Sequence, residues 1–559
     1  MPQVYSGSLS DLWYQNTIWY GIDVEAFQDS DGDGVGDFIG LTQRLNYLAG
    51  IGVNCVWLLP FYPSPNRDNG YDVSDYYGVD PRLGTLGDFV EFVRQADELG
   101  IRVIIDLVVN HTSDEHPWFR AARDDPDSRY RDYYVWVDER PEDHDKTIVF
   151  PGEQTTNWTL DERSGQYYRH VFYDFMPDLN VANPQVVEEI FKVIGFWLEL
   201  GVSGFRVDAA PFLIEDTEFE QYDVDDPQAF LRDLRHFLST RRGDAVLFAE
   251  ANVPPDQLSR YFADGNAMNL LFNFVVNNGV WLAMAREQAA PIADGFNALP
   301  SIPPMCQWAN FLHTYDELDL SRLPEPERNE IFAAFAPDDD MRIYGRGIRR
   351  RVSSMLGGDI RRVMLAYSLL FTLPGTPVLI YGDEVGMGED LSQPGRFPTR
   401  TPMQWSDDPN GGFSTAPADK LVRPVIDEGD YGYQQVNVVE AQRDRSSLLN
   451  RIEYMIRSRR EAPEFGCGEP RLLQTGDDAV LAHRCDWRGR TAVAVHNLSG
   501  EERMVRLDLG DVRDVGSGPI RETLGNREYD APTGEPLEIM LDPYGFRWFR
   551  IDGLRAEVV

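Results

Sequence analysis

Three acidic residues close short apolar runs in this sequence. Asp208 ends Gly204-Phe205-Arg206-Val207-Asp208, Glu250 ends Val246-Leu247-Phe248-Ala249-Glu250, and Asp316 follows Trp308-Ala309-Asn310-Phe311-Leu312. Each run is apolar enough for a buried parallel strand, so each acid is expected where its strand stops. Carboxyl groups placed this way suit cleavage of a glycosidic bond with retention. One carboxylate attacks the anomeric carbon and another carboxyl protonates the leaving oxygen, the two being typically about 5 to 5.5 Å apart. Asp208 and Glu250 fit these roles if their strands are neighbours. Arg206, two residues before Asp208 on the same strand face, would hold that acid ionised. A lone acid in an acidic chain is usually a solvated surface group, but three that terminate apolar strands ask for another reason.

The elements that position such acids recur. A helix ends at glycine, Ile or Val follows, and an apolar strand starts one or two residues later: Gly52-Val53 before Asn54 to Leu59, Gly100-Ile101 before Arg102 to Val109, and Gly201-Val202 before Gly204 to Asp208. In the helix before the last of these, Asn183 is placed as N-cap and Pro184 as first residue. Val186, Ile190, Ile194, Trp197 and Leu198 make one apolar face, and Gly201 stops it. Further strands are expected at Thr17 to Tyr20, Val246 to Glu250, Leu270 to Phe274, Trp308 to Leu312 and Val378 to Tyr381. About eight strands alternating with helices favour an α/β fold closed as a (β/α)8 TIM barrel. A long polar and aromatic interruption, with Tyr130, Tyr133, Tyr134, Trp136 and Trp158, reads as an inserted subdomain forming a pocket wall. After the helix Leu448 to Arg460 the pattern becomes short alternating runs with Gly- and Asp-rich turns, the signature of a C-terminal antiparallel β-domain. The expected division is a barrel from 1–111 and 176–465, an insert at 112–175 and a β-domain at 466–559.

With 559 residues the chain is long for one small core, and 42% hydrophobic residues allow a large one. Asp and Glu number 92 against 52 Lys and Arg, a formal charge of -40 that repels phosphates. Nucleic acid and anionic membranes are therefore not expected partners. Cys55, Cys306, Cys467 and Cys485 are scattered without a CxxC pair, so neither a zinc site nor a disulfide framework is indicated. Met1 to Ser10 has no basic region followed by an apolar run, and a cytoplasmic location is expected. The apolar stretch Val363 to Tyr381 approaches bilayer length, but Pro374-Gly375-Thr376-Pro377 divides it into a buried helix, a tight turn and a strand.

From about Trp13 to the C-terminus, several ordered blocks resemble glycoside hydrolase family 13, the α-amylase superfamily. They are Asp106-Leu107-Val108-Val109-Asn110-His111, the runs ending at Asp208 and Glu250, Asp316, and Met176-Pro177-Asp178-Leu179-Asn180. The resemblance implies Asp208 as nucleophile, Glu250 as general acid and base, and Asp316 as the residue that binds sugar hydroxyls in the distorted transition state. It also implies a terminal-glucose site made by Asp68, Tyr71, His111, Arg206, Tyr315 and Arg400. Tyr71 would stack on an apolar sugar face while charged groups read hydroxyls.

Within that superfamily the chain is similar to the trehalose synthase branch, through Trp57-Leu58-Leu59-Pro60-Phe61-Tyr62-Pro63-Ser64-Pro65, Asp316-Glu317-Leu318, Gly347-Ile348-Arg349-Arg350-Arg351 and Arg400-Thr401-Pro402-Met403-Gln404-Trp405. That branch implies interconversion of maltose and trehalose with some hydrolysis. A hydrolytic α-glucosidase or transglucosidase on other short α-glucosides, or a sugar-binding protein without turnover, are the alternatives. An oligomer is compatible with the sequence. One departure stands out: where the family usually has Asn-His-Asp this chain has Thr314-Tyr315-Asp316, and a phenol cannot become cationic near neutral pH.

The run Asp29-Ser30-Asp31-Gly32-Asp33-Gly34-Val35-Gly36-Asp37 alternates oxygen ligands, as a hard cation requires, but Gly40 stands where an EF-hand has Glu. By resemblance it is a structural Ca2+ loop, with Asp29, Asp31, Asp33, the Val35 carbonyl and Asp37 as ligands. A second Ca2+ site is implied at Asn110, Asp178, the carbonyls of Phe212 and Leu213, and Glu215. No organic cofactor is expected.

Overall fold

The computed structural model describes residues 12–214, 226, 228–509, 519–525, 528–529 and 536–552. Eight strands form a closed barrel in sequential order: β1 (Trp19–Ile22), β2 (Cys55–Leu58), β3 (Arg102–Leu107), β4 (Gly204–Val207), β5 (Val246–Ala249), β6 (Leu270–Phe272), β7 (Gln307–Asn310) and β8 (Thr376–Ile380). Every neighbouring pair is parallel, including the closure of β1 on β8. Their near-continuous burial follows from helices covering the outside while side chains fill the inside. All eight expected strands are present, with ends shifted by a few residues.

The helix Pro184–Glu199 shows how local signals set an element. The Asn183 side chain accepts from Gln185 N, Pro184 occupies the first turn, and Val186, Ile190, Ile194, Trp197 and Leu198 are buried. At Gly201 the chain takes φ = 102°, a conformation that a Cβ disfavours, and the next strand begins three residues later. The apolar stretch near the C-terminal side of the barrel is a helix at Ile360–Thr372, a turn through Gly375, and β8. Among the described residues no helix is long and apolar enough to cross a membrane.

Between β3 and β4 a small antiparallel sheet (Trp136–Val137, Gln166–Arg169 and Trp158–Asp161) packs aromatic rings on one another; Phe119 lies 5.6 Å from Trp136 and 5.1 Å from Tyr168. After the helix Leu448–Glu461, antiparallel strands form a C-terminal β-layer, with Val480–Trp487 paired to Arg490–Asn497 and the latter to Phe546–Asp552. One face of this layer joins the barrel core through Leu481, Cys485, Ala492 and Trp548. The other encloses a separate cluster with Val505, Leu507 and Ile539.

The joint between barrel and β-layer carries polar contacts. Trp548 Nε1 donates to Ser368 Oγ at 2.8 Å, Ser368 Oγ meets His496 Nε2 at 2.9 Å, and His483 Nε2 donates to the Thr372 carbonyl at 2.8 Å. Burial disfavours the imidazolium, lowering His483 to about 4 and His496 well below its ordinary value. Because these folded-state values lie below the unfolded 6.5, the stability they represent is complete above about pH 6.5 and is lost as pH falls through 4. For His483 that amounts to roughly 3 kcal/mol. Denaturant unfolding of wild type and His483→Asn between pH 7 and 4 should show a smaller acid loss in the variant; parallel curves would refute this assignment.

Candidate active site

β4 and β5 pair with Val207 opposite Ala249, so the next residue on each strand, Asp208 and Glu250, leaves the barrel side by side. Neighbouring strands lie about 4.8 Å apart, so both side chains start close to one another, as a pair of cooperating carboxyls needs. Asp208 N donates to Leu107 O at 3.2 Å and Glu250 N to Val207 O at 3.3 Å, which ties both acids to the ladder. Ala209, directly after Asp208, takes φ = 50°, a left-handed conformation uncommon for a residue with a Cβ. The chain is thereby turned sharply away, leaving Asp208 at the strand end.

Arg206 joins the acids. Its buried guanidinium donates through Nη1 to Asp106 Oδ1 at 2.7 Å and to Asp208 Oδ1, and through Nη2 to Glu250 Oε2. Asp106 also accepts from Trp57 Nε1 at 3.1 Å. Burial and the Asp208 charge push Asp106 up to about 7 against the pull of Arg206. Glu250 faces the cavity and is likewise pushed up to about 7. Removal from bulk water is the main cause and Asp208 and Asp316 add to it, while Arg206 and Arg396 oppose it. A carboxyl with this value is half protonated near neutrality, as a general acid needs. Burial alone would raise Asp316, but Arg396, Arg400 and Arg206 bring it below its ordinary value. Arg396 Nη1 and Arg400 Nη2 each lie 2.9 Å from Asp316 Oδ1.

Asp208, Glu250 and Asp316 line a cavity of about 560 Å3 together with Asp68, Tyr71 and His111, a volume in the range of small-ligand sites. The inserted segment contributes Lys146 to Phe150, and Asn252, Asp319 and Arg322 form another part of the wall. His111 Nε2 is buried without a hydrogen-bond partner among the described residues, and burial lowers its pKa by disfavouring the imidazolium. Asp68 is pushed up to about 6 by burial, with Arg396 and Arg400 opposing.

Three of the expected sugar-binding residues stand behind this wall. Arg206 clamps the acids, and Arg400 supports Asp316 while its Nε donates to the Tyr315 carbonyl at 3.1 Å. Tyr315 does not line the cavity, in contrast to the expectation of a sugar contact. Its ring turns into the barrel and packs on Trp57, because Gly21 leaves the space for it. Adjacent His313 is committed elsewhere, with Nε2 2.8 Å from Asp383 Oδ1.

Residues that sequence reasoning passed over are Asp106 and Trp57 as supports, and Arg396, which lines the cavity, pairs with Asp316 and Glu317 and lies 4.7 Å over the Phe150 ring. Asp106 and Trp57 belong to blocks already visible in the sequence, whereas Arg396 sits in a loop with no pattern of its own.

Of the expected metal ligands, Asp29, Asp31 and Asp37 bring carboxylate oxygens within 4.8 Å of one another. Asp29 accepts from the amides of Asp31, Gly32 and Gly34, and Asp37 from Ser30 and Gly40, which pre-forms the loop. Asp33 is exposed and accepts from Val35 N; it does not join the cluster. At the second expected site Asn110 Nδ2 donates to Asp178 Oδ1 at 3.2 Å, while Asp178 Oδ2 has no hydrogen-bond partner among the described residues. Phe212 lines the cavity and Leu213 is buried; Glu215 lies outside the described residues.

A barrel with two acids at the ends of adjacent strands, a third on a following loop and a shared arginine defines a retaining glycoside-active enzyme. The chain belongs to glycoside hydrolase family 13: the family model for the α-amylase catalytic domain matches residues 22–314 and 343–468, and one for a sucrose hydrolase-like C-terminal domain matches 489–550. It is 41% identical over 547 residues to trehalose synthase/amylase TreS of Mycobacterium tuberculosis (strain H37Rv), covering 96% of this chain and 90% of the relative. It is 40% identical over 552 residues to the trehalose synthase of Pimelobacter sp., covering 96% of each. Among solved structures, an inactive double mutant of MutB in complex with isomaltulose superposes with a TM-score of 0.76 at 25% identity, over 97% of this chain and 99% of that one.

If Glu250 is the group that protonates the leaving oxygen, kcat/KM on a disaccharide should fall as pH rises through about 7. Glu250→Gln should lose about 10²- to 10⁴-fold and abolish this limb, while an activated glucoside whose leaving group needs no proton still releases it. An unchanged basic limb in the variant would remove Glu250 from this role.

Proposed function

We propose that this chain acts on short α-glucosides and interconverts maltose and trehalose through a glucosyl-Asp208 intermediate. The observation that carries the reading is the Arg206-linked set of Asp208 and Glu250, with Asp316, inside one cavity. Similarity at about 40% identity to proteins named trehalose synthase supports the choice of substrate. Asp208 attacks the anomeric carbon as Glu250 gives its proton to the departing glucosyl oxygen. The released glucose stays in the cavity, turns, and attacks the glucosyl ester through its anomeric hydroxyl. Glu250 takes that proton back, Asp208 departs as carboxylate, and the anomeric configuration is retained overall. Water in place of the glucose gives hydrolysis, and Glu250, partly open to the cavity, supports a hydrolytic side reaction.

A structural Ca2+ at Asp29, Asp31 and Asp37 belongs to this reading; the all-oxygen donor set and the amides that hold it favour a hard cation. The pair Asn110 and Asp178 supports a second ion less directly. A cytoplasmic location is supported by four free cysteines, three of them buried.

Incubation with maltose and, separately, trehalose, with sugars resolved by chromatography, tests the assignment. The other disaccharide should accumulate with minor glucose; glucose alone would mean an α-glucosidase. Asp208→Asn should abolish turnover with an unchanged fold by circular dichroism. For the ion, a chelator should lower Tm and Ca2+ should restore it, since a ligand at 100 times its Kd stabilises by about 2.7 kcal/mol; a Tm indifferent to both would exclude a structural Ca2+.

A further inference from the structure

Tyr315 is almost fully enclosed, with 2% of its surface exposed, yet its hydroxyl has no hydrogen-bond partner among the described residues. The ring meets the Trp57 indole edge-on at 5.3 Å and 70°, and tilts against Tyr381 at 6.2 Å. Space for the phenol exists because position 21 on β1 is glycine. A Cβ built there would lie 2.6 Å from the Tyr315 hydroxyl and 3.1 Å from the ring carbon that bears it. Gly21 is also the register partner of Trp57 on β2, so the three residues form one contact inside the barrel.

Trp57 connects that contact to the acids. Its Nε1 donates to Asp106 Oδ2, its ring lies 5.5 Å from the Arg206 guanidinium carbon, and Asp106 is the buried carboxyl group that holds Arg206 beside Asp208 and Glu250. We infer that Tyr315, seated in the space left by Gly21, is a positioning residue that fixes the Trp57 indole and, through Asp106 and Arg206, the alignment of Asp208 and Glu250, without touching the sugar. Removal of the ring leaves the indole free to shift, and misplacement of a supporting group by about 1 Å is enough to cost up to 10²-fold in rate. The hydroxyl contributes nothing to this action; burying it unpaired is itself unfavourable.

This inference rests on the proposed chemistry for its kinetic consequence, but the Gly21–Tyr315 coupling can be read without any activity. Wild type, Tyr315→Ala, Tyr315→Phe, Gly21→Ala and Gly21→Ala/Tyr315→Phe would be compared by thermal unfolding and by pH profiles of kcat and KM on the disaccharide that wild type turns over. Tyr315→Ala should lower kcat about tenfold or more and move the basic limb, with KM held within about twofold. The conservative Tyr315→Phe should bring kcat and the limb back. Gly21→Ala should lower Tm, and removal of the colliding hydroxyl in the double variant should recover part of that loss. A KM raised about tenfold by Tyr315→Phe, with the limb unmoved, would mean that the phenol binds sugar and overturns the inference. Additive Tm changes at positions 21 and 315 would overturn it as well, and they are measurable even if Tyr315→Ala fails to fold. If wild type converts neither maltose nor trehalose, the substrate reading fails, while the Tm coupling still decides whether Gly21 seats Tyr315.

Discussion

One guanidinium shared among three carboxylates is the constraint on which this site depends. Arg206 faces Asp106, Asp208 and Glu250 with almost no solvent to screen it. A buried ion without a partner costs several kcal/mol, so each acid relies on the same cation. That shared dependence separates their roles. Asp106 and Glu250 are pushed up toward neutrality, whereas Asp316, with Arg396 and Arg400 close by, is held below its ordinary value. Different acid strengths arise from one set of like groups because each has a different count of cations nearby.

The barrel makes such sharing possible. Parallel strands in register deliver Arg206 and Asp208 on one face of β4 and Glu250 beside them on β5, with Asp106 on the preceding strand, β3. The C-terminal β-layer contributes from a distance by covering the helix Ile360–Thr372, which packs directly before β8 closes the barrel. Its contacts through Trp548, His483 and His496 are buried and neutral.

Much of this was legible in residue order. The eight apolar strands, the glycine stops and the Asn183 cap were visible because burial on both faces and helix termination leave local marks. Asp208 and Glu250 were visible because each ends such a strand, and Asp316 because it follows one closely. Side-chain direction was not. Tyr315 was expected at the sugar yet turns inward, because a glycine nearly three hundred residues earlier leaves room. Arg400 was expected at the sugar and instead stands behind Asp316, and Arg396, from an irregular loop, takes a place at the cavity.

The sequence by itself therefore determined the barrel, the order of its strands and the identity of the acids at their ends, since these follow from hydrophobic period and from motifs a few residues long. Tertiary structure alone decided which cations meet which acids, how far Glu250 is raised, and where Tyr315 points. Those outcomes depend on the distance and solvent exposure of groups far apart in the chain, and neither quantity exists until the barrel has closed.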